Sequence, residues 1–301
     1  MDINRYKPTG KLDKKHLVSL ANYTEEEIYE ILKTAKEISE RIAAGEKQVS
    51  LKGKYVYLIT KSGFSRSRIA FETSVAKLSG AYTVSSLPGA KLETVLTDEL
   101  SMQAIAFYGV DAIVVGTEFN TDAELLEKHI NIPIINANSK SGPLEAIAAL
   151  MTVWEKKGRL DKLKVVMVGS PDAYADSMVY AFIKCGAEVT LVCPKEFAPS
   201  EKTLNYCAQY GGVNVTSDLS AALTDADCVY VSDDGLPEEF TITDGLLYRA
   251  KPSVCVLHNL PVSRENPAVS ADVVNSLKFA GLRQAENLQK IEMAVLTLLI
   301  K

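Results

Sequence analysis

The chain has 301 residues, 47% hydrophobic and 24% charged, with a net charge of −5. That length suits two domains rather than one core, and the acidic balance leaves no basic footprint for nucleic acid or an anionic membrane. No apolar run is long enough to span a bilayer, Met1-Asp2-Ile3-Asn4-Arg5-Tyr6 carries no secretory segment, and Cys185, Cys193, Cys207, Cys228 and Cys255 have no paired spacing, so the expectation is a cytoplasmic protein with reduced thiols and no zinc or disulfide frame.

Thr24-Glu25-Glu26-Glu27 is a capping box that starts a helix to about Ala43. Strands are predicted at 54–60, 82–86, 111–115 and 132–135 with helical patterns between them, the rhythm of a parallel sheet with crossover helices. A helix from about Pro143 to Lys157 ends at Gly158. The alternation then resumes with Leu163-Lys164-Val165-Val166-Met167-Val168 and strands near 188–193, 213–216, 226–231 and 253–257. A final amphipathic helix runs from about Gln284 to Leu299. The expected fold is therefore α/β, with two doubly wound parallel-sheet, Rossmann-like domains joined by a helix.

Ligand sites in such sheets lie beyond the carboxyl ends of the strands. Phe64-Ser65-Arg66-Ser67-Arg68-Ile69-Ala70-Phe71-Glu72 follows the strand ending at Thr60 and opens a helix to about Leu78. Free N–H groups and the helix dipole make this turn a natural phosphate or carboxylate site, to which Arg66 adds a two-pronged donor and Ser67 a hydroxyl. The same residues also suit a Ser-capped helix with surface salt bridges. Val168-Gly169-Ser170-Pro171-Asp172 lacks the remaining glycines of a dinucleotide fingerprint, so no nucleotide cofactor is expected. His16 and His129 stand at no metal or triad spacing and are expected at the surface, and no metal site is predicted.

The Phe64 to Glu72 stretch resembles the Ser-Thr-Arg-Thr-Arg-x-Ser-Phe-Glu signature of the aspartate and ornithine carbamoyltransferase family, with Phe64 where the family has its first Ser. Further landmarks follow in order: Asp111-Ala112-Ile113-Val114-Val115, Pro133-Ile134-Ile135-Asn136, His258-Asn259-Leu260-Pro261, and Arg283-Gln284-Ala285-Glu286-Asn287 leading into Met293-Ala294-Val295-Leu296. The last of these looks closer to the aspartate carbamoyltransferase catalytic chain. The resemblance implies a carbamoyl-phosphate-binding domain of residues 1–141 plus 285–301 and an amino-acid-binding domain of residues 142–284. It also implies a homotrimer, no cofactor, and a small anionic ligand such as phosphate or carbamoyl phosphate.

Carried over residue by residue, the resemblance implies anion binding at Ser65, Arg66, Ser67 and Arg68. It implies a cleft lined by Thr117, His258, Leu260, Pro261 and Gln284, with a cis Leu–Pro peptide. Lys91, in the loop after strand 82–86, falls where the family reaches into a neighbouring subunit, or is a solvated loop lysine. The chain departs from the family at Phe64, which replaces a phosphate-binding Ser, and at Gly116, which replaces an Arg. Gly142 and Glu145 replace the His and Gln of His-Pro-x-Gln, and Asp233 with Asp234 stands where the acceptor motif belongs. Arg283 and Gln284 either approach the cleft or cap the final helix. His258 is then the surviving candidate for a catalytic group. Two readings follow: a non-catalytic regulatory or assembly homologue, alone or mixed with an active paralogue, or an active carbamoyltransferase with an altered amine acceptor.

Overall fold

The computed structural model describes residues 1–61, 66–87, 98–116, 130–137, 142–169, 175–232 and 236–301, apart from the side chains of residues 61, 86, 87, 175 and 196. Two compact units divide the chain: Lys7–Leu144 with Leu288–Lys301, and Met1–Tyr6 with Glu145–Asn287. Among the described residues no helix is long and apolar enough to cross a membrane.

The first unit begins with helix α1, Glu25–Ala43. Its capping box forms: Thr24 Oγ1 accepts the Glu27 N–H at 3.2 Å, and Glu27 Oε2 accepts the Thr24 N–H at 2.9 Å. Ile28, Ile31, Leu32, Ala35 and Ile38 bury one face at helical spacing. Strand β1 (Tyr55–Lys61) leads to α2 (Arg66–Lys77), then β2 (Ala81–Leu87), α3 (Glu99–Phe107), β3 (Ala112–Gly116) and β4 (Ile134–Asn136). The sheet order is β2-β1-β3-β4 and every pairing is parallel. Ala112, Ile113, Val114 and Val115 are all buried, as a strand covered on both faces requires.

In the second unit lie most of helix α4 (Pro143–Lys157) and β5 (Lys164–Val168), followed by α5 (Ala175–Lys184), β6 (Glu188–Val192), α6 (Glu201–Ala208), β7 (Asn214–Thr216), β8 (Cys228–Val231) and β9 (Cys255–His258). Its sheet is also wholly parallel, ordered β7-β6-β5-β8-β9. Val166, Val168, Val229, Val231 and Val256 form the centre of an apolar cluster closed by Phe240, Ile242 and Val269. Helix α7 (Gly281–Leu299) starts in this unit and, from Leu288, continues in the other. There Ser74 Oγ donates to Glu292 Oε2 at 3.3 Å and Lys77 Nζ to Gln289 Oε1 at 2.6 Å.

Two expected strands start one or two residues late for the same reason. Asp111 precedes β3, and its carboxylate accepts the Tyr55 N–H at 2.8 Å and Lys54 Nζ at 3.1 Å. Asp227 precedes β8, and its carboxylate accepts the Lys164 N–H at 3.0 Å and Lys251 Nζ at 2.7 Å. In each sheet the aspartate's own N–H bonds the carbonyl of the same neighbouring residue, Tyr55 at 2.8 Å and Lys164 at 2.9 Å, while its carboxylate takes that residue's amide, so a side chain closes the end of the ladder. The final helix begins at Gly281 rather than Gln284, because the Gln284 N–H already bonds the Ala280 carbonyl at 2.9 Å.

Candidate functional site

In the first unit the carboxyl ends of β1 and β3 lie side by side, Thr60 paired in register with Gly116. Thr60 is buried, and its Oγ1 takes no hydrogen bond among the described residues. A Cβ added to Gly116 would meet Thr60 Cγ2 at 3.6 Å and the Ala137 Cβ at 3.9 Å, ordinary contact distances. The space would therefore accept the start of a side chain, and its being glycine is a property of the sequence rather than a steric demand.

Helix α2 opens at Arg66, which is exposed and held by no hydrogen bond or ion pair among the described residues. Ser67 is buried beside it. Arg68 is drawn along the helix instead, its Nε donating to Glu72 Oε1 at 2.6 Å, an i,i+4 pair. Among the described residues Arg66 is thus an unengaged guanidinium at the positive end of a three-turn helix, an arrangement suited to an anion. Gly142 precedes α4 with φ of +30°, a backbone that favours glycine. Pro143 is the first helical residue, where its missing N–H costs nothing.

Within the second unit, His258 ends β9, buried and in register with Val231. The chain then turns through Asn259 to a cis Leu260–Pro261 peptide, as the sequence led us to expect. A chain of polar contacts fixes this corner. Gln284 Nε2 donates to Asn259 Oδ1 at 2.7 Å, and Asn259 Nδ2 donates to the Tyr230 hydroxyl at 3.1 Å. Gln284 and Tyr230 are both almost fully buried. Glu145, in the first turn of α4, is also buried, with its carboxylate at the helix end that favours negative charge.

Arg283 does not serve as a free cleft group. It clamps Glu155 through Nε and Nη2 at 2.7 and 2.8 Å, and Nη1 donates to Glu286 Oε2 at 2.6 Å, which raises its pKa further above the ordinary arginine value. His16, expected at the surface, is partly buried and hydrogen-bonded. Its Nδ1 accepts the Ile134 N–H at 3.1 Å, and burial, with a smaller contribution from Lys15, pushes its pKa down to about 4. Nothing in the local sequence announced that bond, because its partner belongs to β4. The expectations for Phe64, Ser65, Lys91, Thr117, His129, Asp233 and Asp234 lie outside the described residues. Arg66, Ser67, Arg68, Gly116 and Gly142 belong to the first unit, and Glu145, His258, Leu260, Pro261 and Gln284 to the second. Among the described residues no group of three metal-ligating side chains is present.

Comparison with known proteins gives two matches to one family. The aspartate/ornithine carbamoyltransferase carbamoyl-P binding domain matches residues 15–155, and the Asp/Orn binding domain of the same family matches residues 161–234. The ornithine carbamoyltransferase of Pyrococcus abyssi (strain GE5 / Orsay) is 32% identical over 308 residues, covering 96% of either chain. That of Bacillus subtilis (strain 168) is 29% identical, covering 94% of this chain and 92% of its own length. Among solved structures, the ornithine carbamoyltransferase from Pyrococcus furiosus superposes with a TM-score of 0.87 at 30% identity, covering 95% of this chain and 97% of that one. The aspartate transcarbamoylase from Trypanosoma cruzi shares the fold at a TM-score of 0.85 and 21% identity, with 99% of each chain covered. The two sequence relatives carry the ornithine name, whereas the last sequence landmark had pointed to the aspartate branch.

Proposed function

This chain belongs to the aspartate/ornithine carbamoyltransferase family, and from that membership we propose that it keeps the family's anion pocket but works as a non-catalytic regulatory or assembly homologue. One observation carries the reading: Arg66 and Ser67 remain at the amino end of α2, whereas Gly116 and Gly142 present no side chain where the resemblance expects an arginine and a histidine. Those two groups would polarise the carbonyl of carbamoyl phosphate as an amine attacks it. Losing a donor aimed at a developing oxyanion costs about 3–4 kcal/mol of barrier, and two such losses reduce turnover to traces. The anion itself needs only the helix end and the guanidinium, which is why binding survives in this reading.

Purified protein given carbamoyl phosphate with ornithine or aspartate is expected to form ureido products at trace rates at most. Calorimetric titration with inorganic phosphate should give weak binding that Arg66→Ala removes. Gly116→Arg, although sterically admissible at its Cβ, should not restore full activity alone. Robust turnover by the unaltered chain would overturn the reading. In its place would stand the second one, an enzyme with an altered amine acceptor, which the retention of buried His258 favours. We also propose a homotrimer, alone or mixed with an active paralogue, because the family's carbamoyl-P binding domain matches residues 15–155, most of the first unit. A monomer by light scattering at micromolar concentration counts against it.

A further inference from the structure

Cys228 and Cys255 begin the adjacent strands β8 and β9 and are direct partners in the parallel ladder. Paired residues of neighbouring strands point to the same face about 4.8 Å apart at Cα, within the roughly 4.4–6.8 Å that a disulfide accepts. Both side chains are free thiols with almost no exposure. They lie at the amino ends of β8 and β9, whereas His258 lies at the carboxyl end of β9, the opposite end of the sheet.

We propose that Cys228 and Cys255 form a reversible dithiol–disulfide pair that responds to hydrogen peroxide. The surroundings give the two sulfurs different roles. The adjacent Cys228 thiol, helped by the ammonium groups of Lys156 and Lys157, holds Cys255 below the ordinary thiol range against the effect of burial. The same neighbour, then burial, raises Cys228. Asp227 adds to the rise at Cys228 while its own carboxylate is engaged by Lys251. In the proposed cycle Cys255 attacks and Cys228 resolves.

The chemistry balances with peroxide as the oxidant. The Cys255 thiolate attacks one peroxide oxygen, the O–O bond breaks, and the departing hydroxide takes a proton to become water, leaving a sulfenic acid. The Cys228 sulfur then attacks Cys255, the S–S bond forms, the S–O bond breaks, and the second water leaves with the Cys228 proton. Two thiols are oxidised and one peroxide is reduced to two waters. The bond would join neighbouring strands of the ladder, and a dithiol reductant reverses it. A small neutral peroxide reaches the pair when the amino ends of β8 and β9 open locally, which breaks the contacts of Asp227 with Lys164 and Lys251.

The test oxidises the native full chain with hydrogen peroxide, traps remaining thiols with N-ethylmaleimide in acidic denaturant, and maps linked peptides by mass spectrometry. The expected result is a fall from five free thiols by two, one linked peptide joining Cys228 to Cys255, and full recovery with dithiothreitol. Cys228→Ser and Cys255→Ser should each abolish that peptide, and the wild-type map stands without them if either fails to fold. Retention of all five thiols, a bond joining other cysteines, or Cys255 oxidised without a link would overturn the proposal.

Discussion

Gly281→Ala tests how tightly the start of α7 is packed against the β9 corner. An ideal Cβ at this position falls 2.6 Å from Phe279 Cζ, 2.9 Å from Phe279 Cε1 and 3.2 Å from the His258 carbonyl oxygen. The ring cannot simply swing away, because Phe279 packs on the valine-rich core and its backbone bridges to Val256. Overpacking of this kind costs about 1–3 kcal/mol. Replacing glycine by alanine in a helix returns about 0.5–1 kcal/mol. The net effect should be a destabilisation of about 0.5–2 kcal/mol, a fall in Tm of about 2–6 °C for a unit of this size. Differential scanning calorimetry reads the shift directly. Because the clash is with Phe279, Gly281→Ala should cost much less in a Phe279→Leu background, a coupling that a double-mutant cycle isolates. An unchanged or higher Tm, or the same cost in both backgrounds, refutes the reasoning.

Two further outcomes concern titration and buried charge. His16 is neutral in the folded chain with a pKa of about 4, so between pH 6.5 and 4 the unfolded chain takes up a proton that the folded chain refuses. Stability is full above about pH 6.5 and falls toward pH 4, by about 1–2 kcal/mol once screening of a half-buried ring is allowed for. Urea midpoints at pH 7 and 4.5 should separate by less in His16→Gln, and an equal separation argues against the assignment. Asp227→Ala should cost about 2–3 kcal/mol at pH 7, because it strips the Lys164 amide of its acceptor, while Lys251 returns to water. Burial works against ionisation of Asp227, but the Lys251 ammonium and the Lys164 amide outweigh it and hold the carboxyl below its ordinary range. Its contribution is therefore present above about pH 4 and lost as pH falls through the lowered folded value. Guanidinium midpoints of wild type and Asp227→Ala would make this visible, and a difference under about 0.5 kcal/mol would contradict it.

Local signals in the sequence read well where local physics decides the structure. Thr24 with Glu27 marked the start of α1, and Pro143 with Gly158 bounded α4, because caps and first-turn prolines act within a few residues. The apolar runs located every strand of both sheets. Their order was not readable: β1 sits between β2 and β3, and β8 between β5 and β9, an outcome set by crossovers that leave no mark at any one residue. The same limit applies to the sites. His258 and the cis Leu260–Pro261 turn could be named from a motif, whereas the Gln284–Asn259–Tyr230 contacts, the bond from the Ile134 amide to His16, and the pairing of Cys228 with Cys255 arise only when distant segments become neighbours.

The division of the chain into units has a consequence for its synthesis. The unit containing α1 and the β2-β1-β3-β4 sheet is assembled from Lys7–Leu144 together with Leu288–Lys301, so the part of the sequence translated early lacks a piece translated late. Ile291, Val295 and Leu299 are buried, and Ser50 lies 3.0 Å from Thr297 across hydroxyls. A nascent chain emerging from the ribosome therefore cannot close this unit until residues Leu288–Lys301 have been made, whereas the sheet of β5 to β9 is complete once His258 has emerged. Co-translational folding ordinarily takes the amino-terminal unit first, but here that unit lacks its last segment until Leu288–Lys301 have been made, whereas every strand of the other sheet is encoded before that segment.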